Sequence, residues 1–145
     1  MRLLIIGYGN PLRGDDGAGP AVAELVRQSR PEAEIIISHQ MTPEMADAIS
    51  RADLVVFVDA AAEGAAGEIR RVNVEPAPNA PAFSHEATPG ALLHMAAVLY
   101  GHAARGVLYS IAGANFELGE GLSWEVALSV REVAGAIIRL TDADI

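Results

Sequence analysis

Three side chains in this sequence have the types and positions for joint chemistry: Asp16, Asp59 and His85. Asp16 lies in a Gly-rich loop that follows an apolar run, Leu3 to Ile6. Asp59 ends a second apolar run, and His85 sits between Ser84 and Glu86 after a stretch containing Pro76, Pro78 and Pro81. Two carboxylates and one imidazole suit a divalent metal such as zinc or nickel, with coordination positions left open for water or substrate. Each residue also has a plainer use. An Asp before a helix can simply cap it, an Asp at a strand end can make an Asx-turn, and a loop His can be merely solvated. His39 follows a predicted strand and could face the same edge, whereas His94 and His102 read as structural or exposed.

The elements that must position these residues follow from hydrophobic periodicity. Leu3–Ile6 reads as a buried strand that breaks at Gly7. Ala21, Val22, Leu25 and Val26 recur at helical spacing, which predicts a helix over about 17–30 with Pro20 in its first turn and Asp15 or Asp16 as its cap. Asp15 has a second reading, as a group that orients a ligand; the cap is the preferred one. Residues 34–38 (EIIIS) form a short strand, and a helix over about 43–51 has Thr42 as cap and Pro43 first. DLVVFVD, 53–59, has four consecutive apolar residues and so reads as a central parallel strand buried on both faces. GEIRRVNV, 67–74, must keep its Arg and Glu in water and reads as an antiparallel strand near an edge. A helix from Thr88 and Pro89 to about Tyr100, a strand over 106–112, and a last helix complete the order. Ser123 caps that helix, with Trp124, Leu128, Val133 and Ile137 as its apolar face.

This alternation predicts an α/β fold: one domain spanning 1–145, a three-layer sandwich with a mostly parallel, mixed central sheet of about five strands and helices on both faces. In such a sheet the C-terminal strand ends share one edge, where sites form. Asp16, Asp59 and His85 are all delivered to that edge.

Composition narrows the function classes. The net charge of −9 argues against a nucleic-acid partner, because phosphate is repelled. The chain has no cysteine, which removes disulfides, thiolate metal sites and a Cys nucleophile, and fits a cytoplasmic location. No apolar run approaches the roughly 18 residues of a membrane span, and the N-terminal run is too short for a signal peptide. Gly7-Tyr8-Gly9 hints at a dinucleotide loop. Leu12 stands where the third glycine belongs, however, and the second strand ends Ser38-His39 without the acidic residue that reading needs. The paired acids of the loop also disfavour phosphate.

The opening GYGNPLRGDDGAG resembles the signature of the hydrogenase maturation endopeptidases, G-x-G-N-x-L-x-x-D-[DE]-G-x-G. FVDA at Asp59 and SHEATPGALL at His85 follow in the order and approximate spacing of that family, so the resemblance covers most of the chain. It implies an endopeptidase that removes the C-terminal extension of a nickel-containing hydrogenase large-subunit precursor after nickel insertion. Asp16, Asp59 and His85 match the positions that contact metal and are the implied catalytic residues. The nickel is carried by the substrate precursor, and other divalent cations can occupy the site in vitro. One departure stands out. His39-Gln40-Met41-Thr42-Pro43-Glu44 replaces the D-G-G-[TA] segment of many members and looks like the subset serving cytoplasmic, cofactor-linked bidirectional hydrogenases. His39 and Asn10 are candidates for substrate recognition, Asn10 also shaping the loop. The competing expectation is a non-enzymatic checkpoint or chaperone that binds the metallated precursor without cutting it. The lack of a resident-metal motif such as HExxH keeps it open.

Overall fold

The computed structural model describes residues 1–78, 87–102 and 104–145. The chain opens with β1 (Leu3–Tyr8), passes through a 3-10 turn (Gly14–Gly17) into α1 (Ala18–Ser29), and returns as β2 (Glu34–Ser38). It continues through α2 (Met45–Ser50), β3 (Leu54–Ala61), β4 (Ile69–Val74), α3 (Pro89–Tyr100), β5 (Arg105–Ala112) and α4 (Trp124–Ile138). The strands form one sheet in the order β2-β1-β3-β5-β4, in which only the β4–β5 pairing is antiparallel.

The unbroken apolar runs of β1 and β3 are explained by burial on both faces. Leu3, Ile5, Leu54, Val56 and Val58 pack with Val22 and Val26 of α1 and Val126, Val130, Val133 and Ile137 of α4. The alternate residues Leu4, Ile6, Val55 and Phe57 pack with Met45 and Ile49 of α2 and Leu92, Leu93 and Ala96 of α3. Two apolar layers on one sheet make this the three-layer α/β sandwich expected from the alternation. β4 is antiparallel at the sheet edge, where exposed Arg70 and Arg71 reach solvent. Among the described residues, no helix is long and apolar enough to cross a membrane.

Local differences from the sequence reading have physical causes. The second helix begins later than 43. Amides of Met45, Ala46 and Asp47 bond the carbonyls three residues back, so 42–47 is a tight turn leading into α2. Its cap position is Glu44, not Thr42, and no side chain caps it. In α3, by contrast, Thr88 Oγ1 accepts from the Ala91 amide at 3.1 Å, with Pro89 first, as expected. The apolar face of α4 is rotated from the one expected. Trp124 and Leu128 are 72% and 54% exposed, while Val126, Ser129 and Val130 turn inward with Val133 and Ile137.

The first turn of α1 lies hard against the sheet edge, and glycine makes that possible. A Cβ on Gly19 would collide with the carbonyl oxygens of Val58, the last buried residue of β3, and Tyr8, the end of β1. Gly19→Ala should gain about 1 kcal/mol of helix propensity. Overpacking against two backbone oxygens costs about 3 kcal/mol, so the sum is destabilising by about 2 kcal/mol. Chemical denaturation would detect it as a lower midpoint at unchanged slope.

Candidate functional site

The site is assembled where β1, β3 and β5 end. Gly7 of β1 is level with Val58 of β3, so Tyr8 and Asp59 each follow a matched pair, and Asp59 is itself level with Ser110 of β5. Three polar residues thus form a row across adjacent strands. Tyr8 Oη donates to Asp59 Oδ2 at 2.8 Å, and Ser110 Oγ donates to Asp59 Oδ1 at 2.6 Å. Both carboxylate oxygens are engaged by neutral donors, and no cation pairs with Asp59 among the described residues.

Asp16 comes to the same edge from the 3-10 turn after β1. Its Oδ2 accepts the Asn10 amide at 2.6 Å, while its own amide donates to the Arg13 carbonyl. Gly9 must be glycine here. Its φ of 142° lies outside the range of ordinary residues, and a Cβ would collide with the Asp16 carbonyl oxygen. The Asn10 side chain works inside the loop, its Oδ1 accepting from the Leu12 amide at 2.9 Å.

The electrostatics tie the two acids together. Burial pushes the Asp59 carboxyl above its ordinary value; the bonds from Ser110 and Tyr8 oppose the rise, and the negative charge of Asp16 adds to it. The Tyr8 phenol is raised far above its usual range, by burial first, then by the charge of Asp59 and the bond to it. It therefore stays a protonated donor at any physiological pH.

Beside these acids lies a recess of about 230 Å³ lined by Tyr8, Gly9, Asp16, His39, Gln40, Met41 and Ala87. The structure thus places His39, which is exposed, on the same recess as Asp16. His85 lies outside the described residues, although Ala87, two positions further on, borders the recess. Among the described residues, no three His, Asp or Glu side chains are grouped so as to hold a metal ion. Of the other histidines, His102 Nε2 bonds the Ala52 carbonyl at 2.9 Å, a structural use remote from these acids, as expected.

Asp15 has a different place from the one expected. It does not cap α1, whose cap position is Gly17 with no side-chain bond. It is fully buried. Its Oδ2 accepts from the Ala114 amide, the Asn115 amide and Ser123 Oγ, and its Oδ1 from the Ser123 amide, at 2.7 to 3.0 Å. Asp15 therefore ties both ends of the loop between β5 and α4 to the loop that carries Asp16. Gly14 and Gly119 extend the tie, since the Gly14 amide donates to Gly119 and the Gly119 amide to Leu12. The Ser123 hydroxyl, expected to cap α4, is used here instead. Asp15 was read from sequence as a cap or an orienting group, whereas Tyr8 and Ser110 were missed. The only signal for the last two is strand register, which needs the sheet order.

No protein-family model matches this chain, and no curated protein matches it. Solved structures do match. The [NiFe] hydrogenase maturation protease HycI from Thermococcus kodakarensis KOD1 is 25% identical, with 94% of this chain and 90% of that chain covered at a TM-score of 0.76. HybD from Thermococcus kodakarensis, also a [NiFe] hydrogenase maturation protease, is 22% identical over 94% and 97% of the two chains, TM-score 0.74. The chain has the hydrogenase maturation protease fold. The hydrogenase maturating endopeptidase HybD from E. coli agrees, at 23% identity, 94% and 90% coverage and a TM-score of 0.70. The resemblance carried by GYGNPLRGDDGAG thus extends to the whole maturation protease architecture.

Two measurements check this account of the site. For Asp15, burial raises the pKa, but the bonds from Ser123, then those from Ala114 and Asn115, outweigh it and hold the carboxyl below its ordinary value. A depressed carboxylate contributes stability that is present above its unfolded pKa of about 3.9 and lost as pH falls through the folded value. Asp15→Ala strands several buried donors and should cost about 3 kcal/mol at pH 7. Asp15→Asn should flatten the acid limb of the stability profile below about pH 4. For Asp59, Asp16→Asn removes a repelling charge, so the Asp59 carboxyl should titrate at lower pH in that variant, as read from its side-chain ¹³C shift.

Proposed function

We propose that this chain is an endopeptidase of hydrogenase maturation. It removes the C-terminal extension of a nickel-containing hydrogenase large-subunit precursor after nickel insertion, and reads the bound nickel through Asp16, Asp59 and His85. The observation that carries this reading is that Asp59, near the end of β3, and Asp16, in the 3-10 turn that follows the adjacent parallel strand β1, are near enough for the charge of Asp16 to raise the pKa of Asp59. The maturation protease fold of the chain supports it.

The physical logic is that of a checkpoint. Two carboxylates that repel each other favour a cation between them, and an added imidazole completes a three-ligand set with positions to spare. The spare positions matter because the metal arrives already bound to the precursor, as part of the substrate. A precursor without nickel offers nothing to bridge the acids and is passed over. Contact through the metal would bring the adjoining peptide to the recess that His39 borders, where the peptide bond to the extension is hydrolysed. Metal coordination polarises a carbonyl or orients a water, and either use suits a ligand set with open positions. The recess is an open one of modest size, compatible with an extended peptide rather than an enclosed small molecule.

The test is single replacement of Asp16, Asp59 and His85 by Ala, with processing of nickel-loaded precursor followed by mass spectrometry. Loss of a partner that merely orients a metal ligand already costs about 10–100-fold, so loss of a ligand should slow cleavage by about 100-fold or more. Wild-type protein should leave nickel-free precursor intact. Undiminished cleavage by all three variants would end the metal-reading model, and a precursor that binds but is never shortened would make the chain a binding module instead.

A further inference from the structure

Asp59 is held before anything binds. One of its oxygens takes the Tyr8 hydroxyl at 2.8 Å and the other takes the Ser110 hydroxyl at 2.6 Å, so a rotation about either side-chain torsion breaks at least one bond. The two donors come from the strands on either side of β3, at matching register. The arrangement is set by the sheet itself rather than by a mobile loop. Tyr8 has a further connection. Its ring packs against the core layer below and also walls the recess that Asp16 and His39 share, so one residue links the carboxylate to the recess.

Neither donor is explained by packing alone. A Phe at position 8 would fill nearly the same volume, and an Ala at 110 would satisfy the strand. What the hydroxyls add is direction. A carboxylate that is half-buried and within range of a second negative charge would otherwise swing toward solvent to shed repulsion and regain hydration. Two neutral donors stabilise the anion in place without supplying a positive charge that would compete with a cation for it.

We propose that Tyr8 and Ser110 are positioning residues for Asp59, locking its carboxylate in the one orientation from which it meets the metal carried by the precursor. The inference rests on the reading of Asp59 as a metal-contacting group. Pre-set ligands lose less conformational freedom on binding, and outer partners of metal-binding carboxylates commonly contribute 10–100-fold in affinity or activity. Tyr8 and Ser110 act through Asp59 and need not touch the metal or the peptide.

The experiment compares Tyr8→Phe, Ser110→Ala, the double variant, Ser110→Thr and Asp59→Ala. Orientation is read directly from the three-bond couplings that report the first side-chain torsion of Asp59, measured without metal or precursor. Wild type and Ser110→Thr should show a single rotamer, and the double variant should show averaging over rotamers. With nickel-loaded precursor, each single variant should cleave about 10-fold more slowly and the double variant about 100-fold more slowly, with Ser110→Thr restoring most of the rate. Near-wild-type amide spectra in each variant would establish that the fold is intact. A double variant that keeps a single Asp59 rotamer overturns the inference, as does rotamer averaging with undiminished cleavage. In both cases an inactive Asp59→Ala leaves the reading of Asp59 standing. Full activity of Asp59→Ala would overturn that reading itself.

Discussion

The structure depends on one buried charge. Asp15 has no exposed surface and no cation beside it among the described residues, yet its carboxylate is kept ionised by donors drawn from about 100 residues further along the chain. Such a group is tolerable only when its lone pairs are filled, because a bare charge in that environment costs several kcal/mol. Filling them forces the loop between β5 and α4 to fold over the 3-10 turn after β1. The neighbouring residue in that turn is Asp16. The acid that reaches the recess is therefore held on a turn whose own position is set by the acid behind it.

The sheet edge shows the same economy. Tyr8, Asp59 and Ser110 occupy successive strands at one level, so a parallel sheet delivers donor, acceptor and donor in line without a dedicated loop. Asp16 comes from the 3-10 turn that follows β1. Glycines at 9 and 19 let the turn and the start of α1 approach backbone that any side chain would push away. A half-buried carboxylate with a second negative charge in range is unfavourable by itself. Natural proteins concentrate such unfavourable arrangements where function needs them.

Much of this was legible in the sequence. The runs Leu3–Ile6 and Val55–Val58 pointed to strands buried on both faces, and GEIRRVNV pointed to an antiparallel edge because its charges needed water. Thr88 and Pro89 marked the start of α3 correctly, since both act within a few residues of their own position. What failed was longer in range. Asp15 looked like a cap because sequence shows only its neighbours, whereas its partners are Ala114, Asn115 and Ser123. Trp124 and Leu128 looked like core because helical spacing gives a stripe but not the direction in which it points. Thr42 lost its capping place because the chain makes a tight turn before α2 begins. In the candidate site, Asp16 and Asp59 were singled out from residue type and from their places in the loop after β1 and at the end of an apolar run. Tyr8 and Ser110 could be found only after the strands were ordered.

The exposed position of Trp124 has a use of its own. It is the only tryptophan in the chain, it is 72% exposed, and it follows Ser123, whose amide and hydroxyl both bond to Asp15. Indole emission depends on how much water surrounds the ring. The indole emission of this protein, excited selectively over its three tyrosines, therefore comes from one ring at the edge of the Asp15 tie, so loosening of the tie or coverage of that surface by another molecule would change a single optical signal.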